Sequence, residues 1–292
     1  MALSEKLISN LRNLNLDPIL VESIARQAIA EDLAGGEDVT SQATIPAGQQ
    51  SIAEFVTRKP GVIAGLNIAA AVLECEGITD YEILVSEGSQ VDADRAVLRA
   101  KGDTRKLLLT ERTALNFLGR LSGIATLTNR WVAELKGTSA KVRDTRKTTP
   151  LFREFEKFAV RMGGGENHRM SLSDAALIKD NHIVVAGSAE NAFAKVKAAY
   201  PNLNLEVEVD SLDQLKEVVA AGAQLVLLDN MSLEQCRAAV EIVAGRTKLE
   251  ASGGLTLENA KAYGSTGVNY LAVGALTHSA PVLDIGLDLR ME

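Results

Sequence analysis

L-E-V-E-V-D-S-L-D-Q-L-K-E-V-V-A-A-G-A-Q-L-V-L-L-D, residues 205–229, decides how the second half of this chain is built. Leu205–Asp210 alternates with period two, as a strand does. Leu212–Ala221 carries apolar residues at helical spacing, and Leu225–Asp229 is a short apolar run closed by an acid. The unit recurs. Further strands are expected at Lys141–Asp144, Ala176–Asp180, Lys248–Ser252 and Tyr270–Gly274, with helices at Ala189–Tyr200, Leu233–Ala244 and Leu257–Tyr263. Repeated strand–helix units imply a parallel sheet, and six candidate strands favour an incomplete (six- or seven-stranded) α/β barrel. The alternative, an open doubly wound sheet, usually advertises G-x-G-x-x-G after a strand, and none stands here.

The strand ends support the barrel. Lys179, Glu208, Asp229, Ser252 and Gly274 each fall at or near the C-terminal end of a candidate strand, where a βα barrel builds its reactive face. Within Leu205–Asp210 the period places Glu206, Glu208 and Asp210 on one face. In a helix-wrapped barrel the apolar face meets helices, so the acids point inward. Unpartnered carboxylates there are costly and call for Lys, Arg or a metal; Lys179 on the preceding strand meets that demand, and Asp229 stands beside them on the next. An Asp/Glu set beside a phosphorylated ligand suits Mg²⁺, which takes hard oxygen ligands and bridges to phosphates while keeping waters. Histidines are not at zinc-ligand spacing.

Residues 1–116 are patterned differently, as an α+β domain around a small sheet. Helices are expected at Leu3–Leu14 and Pro18–Ile29, the second capped by Asp17, and at Leu66–Glu76. Strands are expected at Ser51–Thr57, Tyr81–Val85 and Val97–Ala100. Thr104–Leu135 reads as one long helix, relaxed at Gly119 and Gly123. The 292 residues, 46% hydrophobic and 24% charged, suit a globular protein with an ample core. The two cysteines, Cys75 and Cys236, read as buried thiols. No signal-peptide pattern or membrane-length apolar run appears, so a cytoplasmic location is the expectation. A net charge of −7 argues against a general nucleic-acid binder.

Against that acidity, Lys141–Arg169 holds eight Lys/Arg and four Asp/Glu, a local +4. D-T-R-K-T-T-P (144–150) puts Thr145, Arg146 and Lys147 at a strand end, and G-G-G-E-N-H-R (163–169) brings His168 and Arg169. Arg offers a planar fork for carboxylates and Lys a point charge for phosphates. The runs Ser252-Gly253-Gly254 and Val273-Gly274-Ala275, followed by His278, end the last two strands. There glycine lets backbone N–H groups approach a phosphate. Arg146, Lys147, Arg169 and Lys179 set against Glu208 and Asp229 suit a ligand with several negative charges.

These segments, with L-I-K-D-N-H-I (177–183), E-V-E-V-D (206–210), L-L-D-N-M (227–231), S-G-G-L (252–255), Y-L-A-V-G-A-L-T-H-S (270–279), A-E-D-L (30–33), D-V-T-S (38–41) and E-R-T-A-L-N-F-L-G-R-L-S-G-I-A-T (111–126), resemble the quinolinate phosphoribosyltransferase family nearly end to end. Departures are Glu166, at a variable position, and Leu151, where many members carry Gly.

The resemblance implies an N-terminal α/β sandwich over residues 1–116, with a tail (280–292) returning to it, and a barrel over 117–279. It implies transfer of phosphoribosyl from phosphoribosyl pyrophosphate to quinolinate with decarboxylation, and Mg²⁺ as cofactor. The assembly implied is a homodimer at minimum, or a hexamer, with shared active sites. Arg146, His168, Arg169, Lys179 and Arg112 from another subunit would face the two quinolinate carboxylates; as a residue alone, Arg112 reads as a helix-surface cation. Lys147, Glu208 and Asp229 would serve the ribosyl pyrophosphate and Mg²⁺, the two carboxylates reaching the metal through water and pyrophosphate. Ser252, Gly254, Gly274 and His278, with Gly253, Val273 and Ala275 beside them, would hold the 5′-phosphate. The competing readings are a related pyrophosphorylase using another base and a catalytically silent nucleotide-binding protein.

Overall fold

The computed structural model describes residues 2–291. In chain order the elements are α1 (Glu5–Asn13), α2 (Pro18–Leu33), α3 (Val39–Thr44), β1 (Gln50–Thr57), β2 (Gly61–Val62), α4 (Leu66–Cys75), β3 (Asp80–Ile83), β4 (Gln90–Val91), β5 (Ala96–Asp103) and α5 (Thr104–Glu134). There follow β6 (Lys141–Arg143), α6 (Arg153–Met162), β7 (Ala176–Ile178), α7 (Asp180–Ala186), α8 (Ala189–Ala199), β8 (Leu205–Val209), α9 (Leu212–Ala220) and β9 (Leu225–Asp229). The last are α10 (Leu233–Val243), β10 (Lys248–Ser252), α11 (Leu257–Gly264), β11 (Tyr270–Ala272), α12 (Ala275–His278) and β12 (Ile285–Met291). Two compact units result. One gathers the chain up to Leu127, Glu154–Gly164 and the tail from Ala280; the other takes Thr128–Arg153 and Gly165–Ser279.

The first unit is built on an antiparallel sheet of order β12-β1-β5-β3. The tail strand β12 pairs with β1 from Ile285–Thr57 to Met291–Ser51. Asp17 caps α2 as expected, accepting from Ile19 N–H at 3.0 Å, with Pro18 first in the helix. The boundary expected after residue 116 falls inside α5, which runs unbroken to Glu134. Gly119 and Gly123 do not relax that helix. A Cβ on Gly123 would lie 2.0 Å from the Pro281 carbonyl oxygen, and Leu283 N–H donates to Gly119 C=O at 3.0 Å. Both glycines let the tail lie directly on helix backbone. Helix α6, not anticipated from the cationic stretch that contains it, belongs to this unit. Glu154 accepts from Asp17 N–H at 2.7 Å, Arg120 pairs with buried Glu156 at 2.7 Å, and the Phe117 and Phe155 rings meet edge-on.

The second unit is a parallel sheet which, among the described residues, has six strands in the order β6-β11-β10-β9-β8-β7. Alternate strands β6, β8 and β10 send Arg143, Glu206 and Glu250 into one interior cluster, so the sheet is curled. Its edges β6 and β7 do not pair among the described residues, which leaves the barrel incomplete. Val207, Val226, Leu228, Leu249 and Leu271 are buried on these strands. Four crossover helices start on a hydroxyl: Ser188, Ser211 and Ser232 accept N–H bonds at the heads of α8, α9 and α10, and Thr256 heads α11. Such caps contribute about 1 kcal/mol each. Strand β8 stops at Val209, and Asp210 is exposed, so only Glu206 and Glu208 of the expected acidic face turn inward. Strand β7 stops at Ile178, where Lys179 becomes the N-cap of α7, a helix the sequence reading did not foresee.

Candidate active site

The strand registers bring the expected residues into a row. Ile178 pairs with Val207, which makes Lys179 and Glu208 neighbours; Asp229 pairs with Ser252, and Ser252 with Ala272. At this end of the sheet a cavity of about 520 Å³ is walled by Thr145, Arg146, Lys147, His168, Arg169 and Lys179. Asp180, Glu208, Asp229, Glu250 and Ser252 complete its polar lining. Lys179 Nζ donates to Glu208 Oε2 at 2.7 Å, the partnership demanded of an inward carboxylate. Arg146 is half-buried, and its buried Nε has no hydrogen-bond partner within the protein. A buried guanidinium donor left open in this way is ready for an anion.

The glycine-rich ends contribute by closeness. Asn230 adopts φ +52°, donates its side-chain N–H to Asp229 Oδ2 at 2.9 Å and donates its backbone N–H to Ser252 C=O at 2.8 Å. Gly253, at φ +88°, admits this: a Cβ there would stand 2.1 Å from Asn230 Oδ1. A Cβ on Gly274 would lie 3.0 Å from Lys147 Cδ and 3.3 Å from His278 Nε2. Gly274 therefore lets the Lys147 and His278 side chains come close at the head of α12, beside Val273 and Ala275. Thr277 Oγ1 donates to Lys147 C=O at 2.8 Å and ties the loop down. Gly254, at φ +61°, has open space around it. Arg112 is exposed on α5, in the first unit.

Two interior residues were missed, Arg143 and Glu250. Arg143 meets Glu250 at 2.6 Å and stacks 4.6 Å from the Tyr270 ring centroid. His168 Nε2 lies 2.8 Å from Glu206 and 3.4 Å from Glu250. Burial holds both carboxyls well above the usual carboxylate range; for Glu206 the Arg143 and Arg169 charges oppose the rise, and for Glu250 the Glu206 charge adds to it. The available signal was Glu250 itself, a charge in the apolar run K-L-E-A-S of a buried strand, which required a partner such as Arg143. Arg169 is held below the usual arginine range by burial first and by Arg146 second, as expected where cations crowd together.

Fold and site together define an α/β-barrel enzyme for polyanionic substrates. The comparisons make the family specific. The model of the quinolinate phosphoribosyl transferase C-terminal domain matches residues 124–288, and that of the N-terminal domain matches residues 38–122. The chain belongs to the quinolinate phosphoribosyltransferase family. It is 51% identical over 270 residues to the nicotinate-nucleotide pyrophosphorylase (carboxylating) of Mycobacterium leprae, covering 90% of this chain and 95% of that one. NadC from Streptococcus pyogenes superposes with a TM-score of 0.91 at 39% identity over 95% of this chain and 99% of that one. The Francisella tularensis nicotinate-nucleotide pyrophosphorylase gives 0.89 at 39% identity over 93% and 96%. No helix among the described residues is long and apolar enough to cross a membrane.

Proposed function

We propose that this chain is a quinolinate phosphoribosyltransferase that forms nicotinate mononucleotide, pyrophosphate and CO₂ from quinolinate and phosphoribosyl pyrophosphate, a step of NAD biosynthesis. The observation that carries this reading is one cavity in which Arg146, Lys147, Arg169 and Lys179 meet Glu208 and Asp229. Asp180 and Glu250 line it too, the Glu250 carboxyl raised by burial, and four cations converging on one cavity suit two polyanionic substrates.

In this reading Arg146, Arg169 and Lys179, with His168 beside them, face the pyridine dicarboxylate. Lys147 neutralises the departing pyrophosphate, and Ser252, Gly274 and His278 hold the 5′-phosphate. Glu208 and Asp229 are hard oxygen donors on adjacent strands, the donor set that Mg²⁺ prefers. Bound there, Mg²⁺ would supply charge neutralisation for the leaving group. The pyridine nitrogen attacks the ribose carbon as the bond to pyrophosphate breaks, and no general base is required. The C2–carboxylate bond then breaks, its electron pair stays on C2 beside the cationic nitrogen, and a solvent proton replaces the CO₂. The protein positions substrates and balances charge. Arg112 would complete the site of a second copy, in a homodimer or a hexamer, and a cytoplasmic location suits soluble substrates.

The test is an assay of CO₂ and pyrophosphate release from quinolinate, phosphoribosyl pyrophosphate and Mg²⁺. Turnover with quinolinate and none with nicotinate is expected, and Lys147→Ala and Arg169→Ala should each lose at least about a hundredfold in kcat/KM. Near-normal turnover in both variants sinks the site assignment. Use of nicotinate favours the other-base reading, and binding of both substrates without release of either product favours the silent one.

A further inference from the structure

Beneath the cavity a line of contacts runs from the barrel interior to the ligand wall. Glu206 on β8 and His168 are buried, 4% and 8% exposed. His168 Nε2 lies 2.8 Å from Glu206 Oε2, while His168 Nδ1 accepts the backbone N–H of Arg169 at 2.7 Å. Since Nδ1 is an acceptor, the ring proton sits on Nε2 and is donated to Glu206. Asp144 secures the same turn, accepting His168 N–H at 2.8 Å and the Asn167 side-chain N–H at 2.5 Å. The Arg169 guanidinium donates to Ala175 C=O at 3.0 Å, and Arg169 and His168 both line the cavity.

We propose that Glu206 is a positioning residue for dicarboxylate binding. It holds His168 as the Nε2–H tautomer, and that ring, through Nδ1, sets the Arg169 backbone and the place where its guanidinium meets a substrate carboxylate. The proposal rests on the reading of this cavity as the quinolinate site. Packing alone does not explain the arrangement. A carboxylate in a barrel interior is costly to bury, and an apolar side chain would fill the same space. An acceptor aimed at Nε2 favours the tautomer whose Nδ1 receives the Arg169 backbone N–H. A metal ion is the competing use of this cluster, because ligand atoms of His168, Glu206 and Glu250 lie within 4.8 Å of one another. Arg143, 2.6 Å from Glu250, already supplies positive charge there, which favours the positioning role of Glu206.

The chain has three histidines, so nitrogen-15 NMR of the whole ligand-free enzyme can read each ring, with His168→Gln assigning the signal. His168 is expected as the neutral Nε2–H form in the wild type and in Glu206→Gln, whose amide oxygen still accepts. Quinolinate affinity in Glu206→Gln should stay within about threefold of wild type. Glu206→Leu should lose the tautomer preference and weaken quinolinate binding by about tenfold or more, with KM for phosphoribosyl pyrophosphate unchanged. A wild-type His168 that is Nδ1–H or doubly protonated at neutral pH overturns the proposal, whether or not the Leu variant folds. So does a folded Leu variant that binds quinolinate as wild type does, or one that weakens both substrates equally. The expected tautomer in a wild-type enzyme that makes no nicotinate mononucleotide would instead overturn the reading of the site, leaving the contact of Glu206 with His168 intact.

Discussion

Lys179 Nζ and Glu208 Oε2 stand 2.7 Å apart across the β7–β8 edge, a cation of the proposed anion-binding wall paired with a carboxylate of the proposed metal side. Lys179 is about half exposed, so the pair adds little to stability, roughly 0–1 kcal/mol. In the proposed function its value is to keep charge balanced until a dicarboxylate takes the ammonium. Lys179→Met should therefore leave the unfolding midpoint nearly unchanged while weakening quinolinate use by roughly 2–5 kcal/mol in kcat/KM. Steady-state kinetics beside a thermal melt check this; a large loss of stability with normal kinetics would reverse the assignment.

Gly123 tests how the tail is seated within the first unit. A Cβ there meets Pro281 backbone at 2.0 Å and 3.0 Å, and backbone cannot swing aside as a side-chain tip can. Gly123→Ala should destabilise by about 1–3 kcal/mol, read from urea unfolding. Wild-type stability in that variant would show that the tail lies elsewhere.

Leu151 is a residue whose backbone suits glycine better. Its φ is +64° and its side chain is 84% exposed, so it is strained without compensating burial. Leu151→Gly should stabilise by up to about 1 kcal/mol, the released strain outweighing the added chain entropy. Leu151→Val should destabilise, since a β-branched residue tolerates that φ least. Thermal shifts of the two variants in opposite directions are the expected result.

Glu250 gives the chain a pH signature. Burial first, then the Glu206 charge, push its carboxyl up to about 7, against the pull of Arg143 and His168. Between the ordinary carboxylate range and about 7 the folded state binds a proton that the unfolded state has released, so stability falls as pH rises and then levels off. Glu250→Gln cannot titrate. Its stability relative to wild type should improve steadily from about pH 5 to about pH 8, whatever constant cost the lost Arg143 pair imposes. Parallel pH–stability curves would exclude the shift.

The strand–helix alternation, the Asp17 cap and the row of polar strand ends were legible because they depend on neighbours in sequence: side-chain period, hydroxyl caps and turns act over a few residues. Lys179, Glu208 and Asp229 were legible for the same reason, each at or next to the end of its own strand, and Arg146, Lys147 and Arg169 stood out as a local excess of cations. Glu250, Arg143 and the true place of Glu206 were not. A residue in a three-residue strand such as β6 shows no period, and its partner lies 107 positions away. Helix α6 was hidden by its charges, since Glu156 and Lys157 are buried despite them.

By itself, then, the sequence determined the class of barrel, the family and the chemical character of the cavity, because local patterning and ordered motifs carry that information. Only tertiary structure decided which side chains meet inside the barrel, that Gly119 and Gly123 seat a tail rather than loosen a helix, and that His168 is oriented by Glu206. Those outcomes depend on curling the sheet until alternate strands face one another, and on distances that no spacing along the chain records.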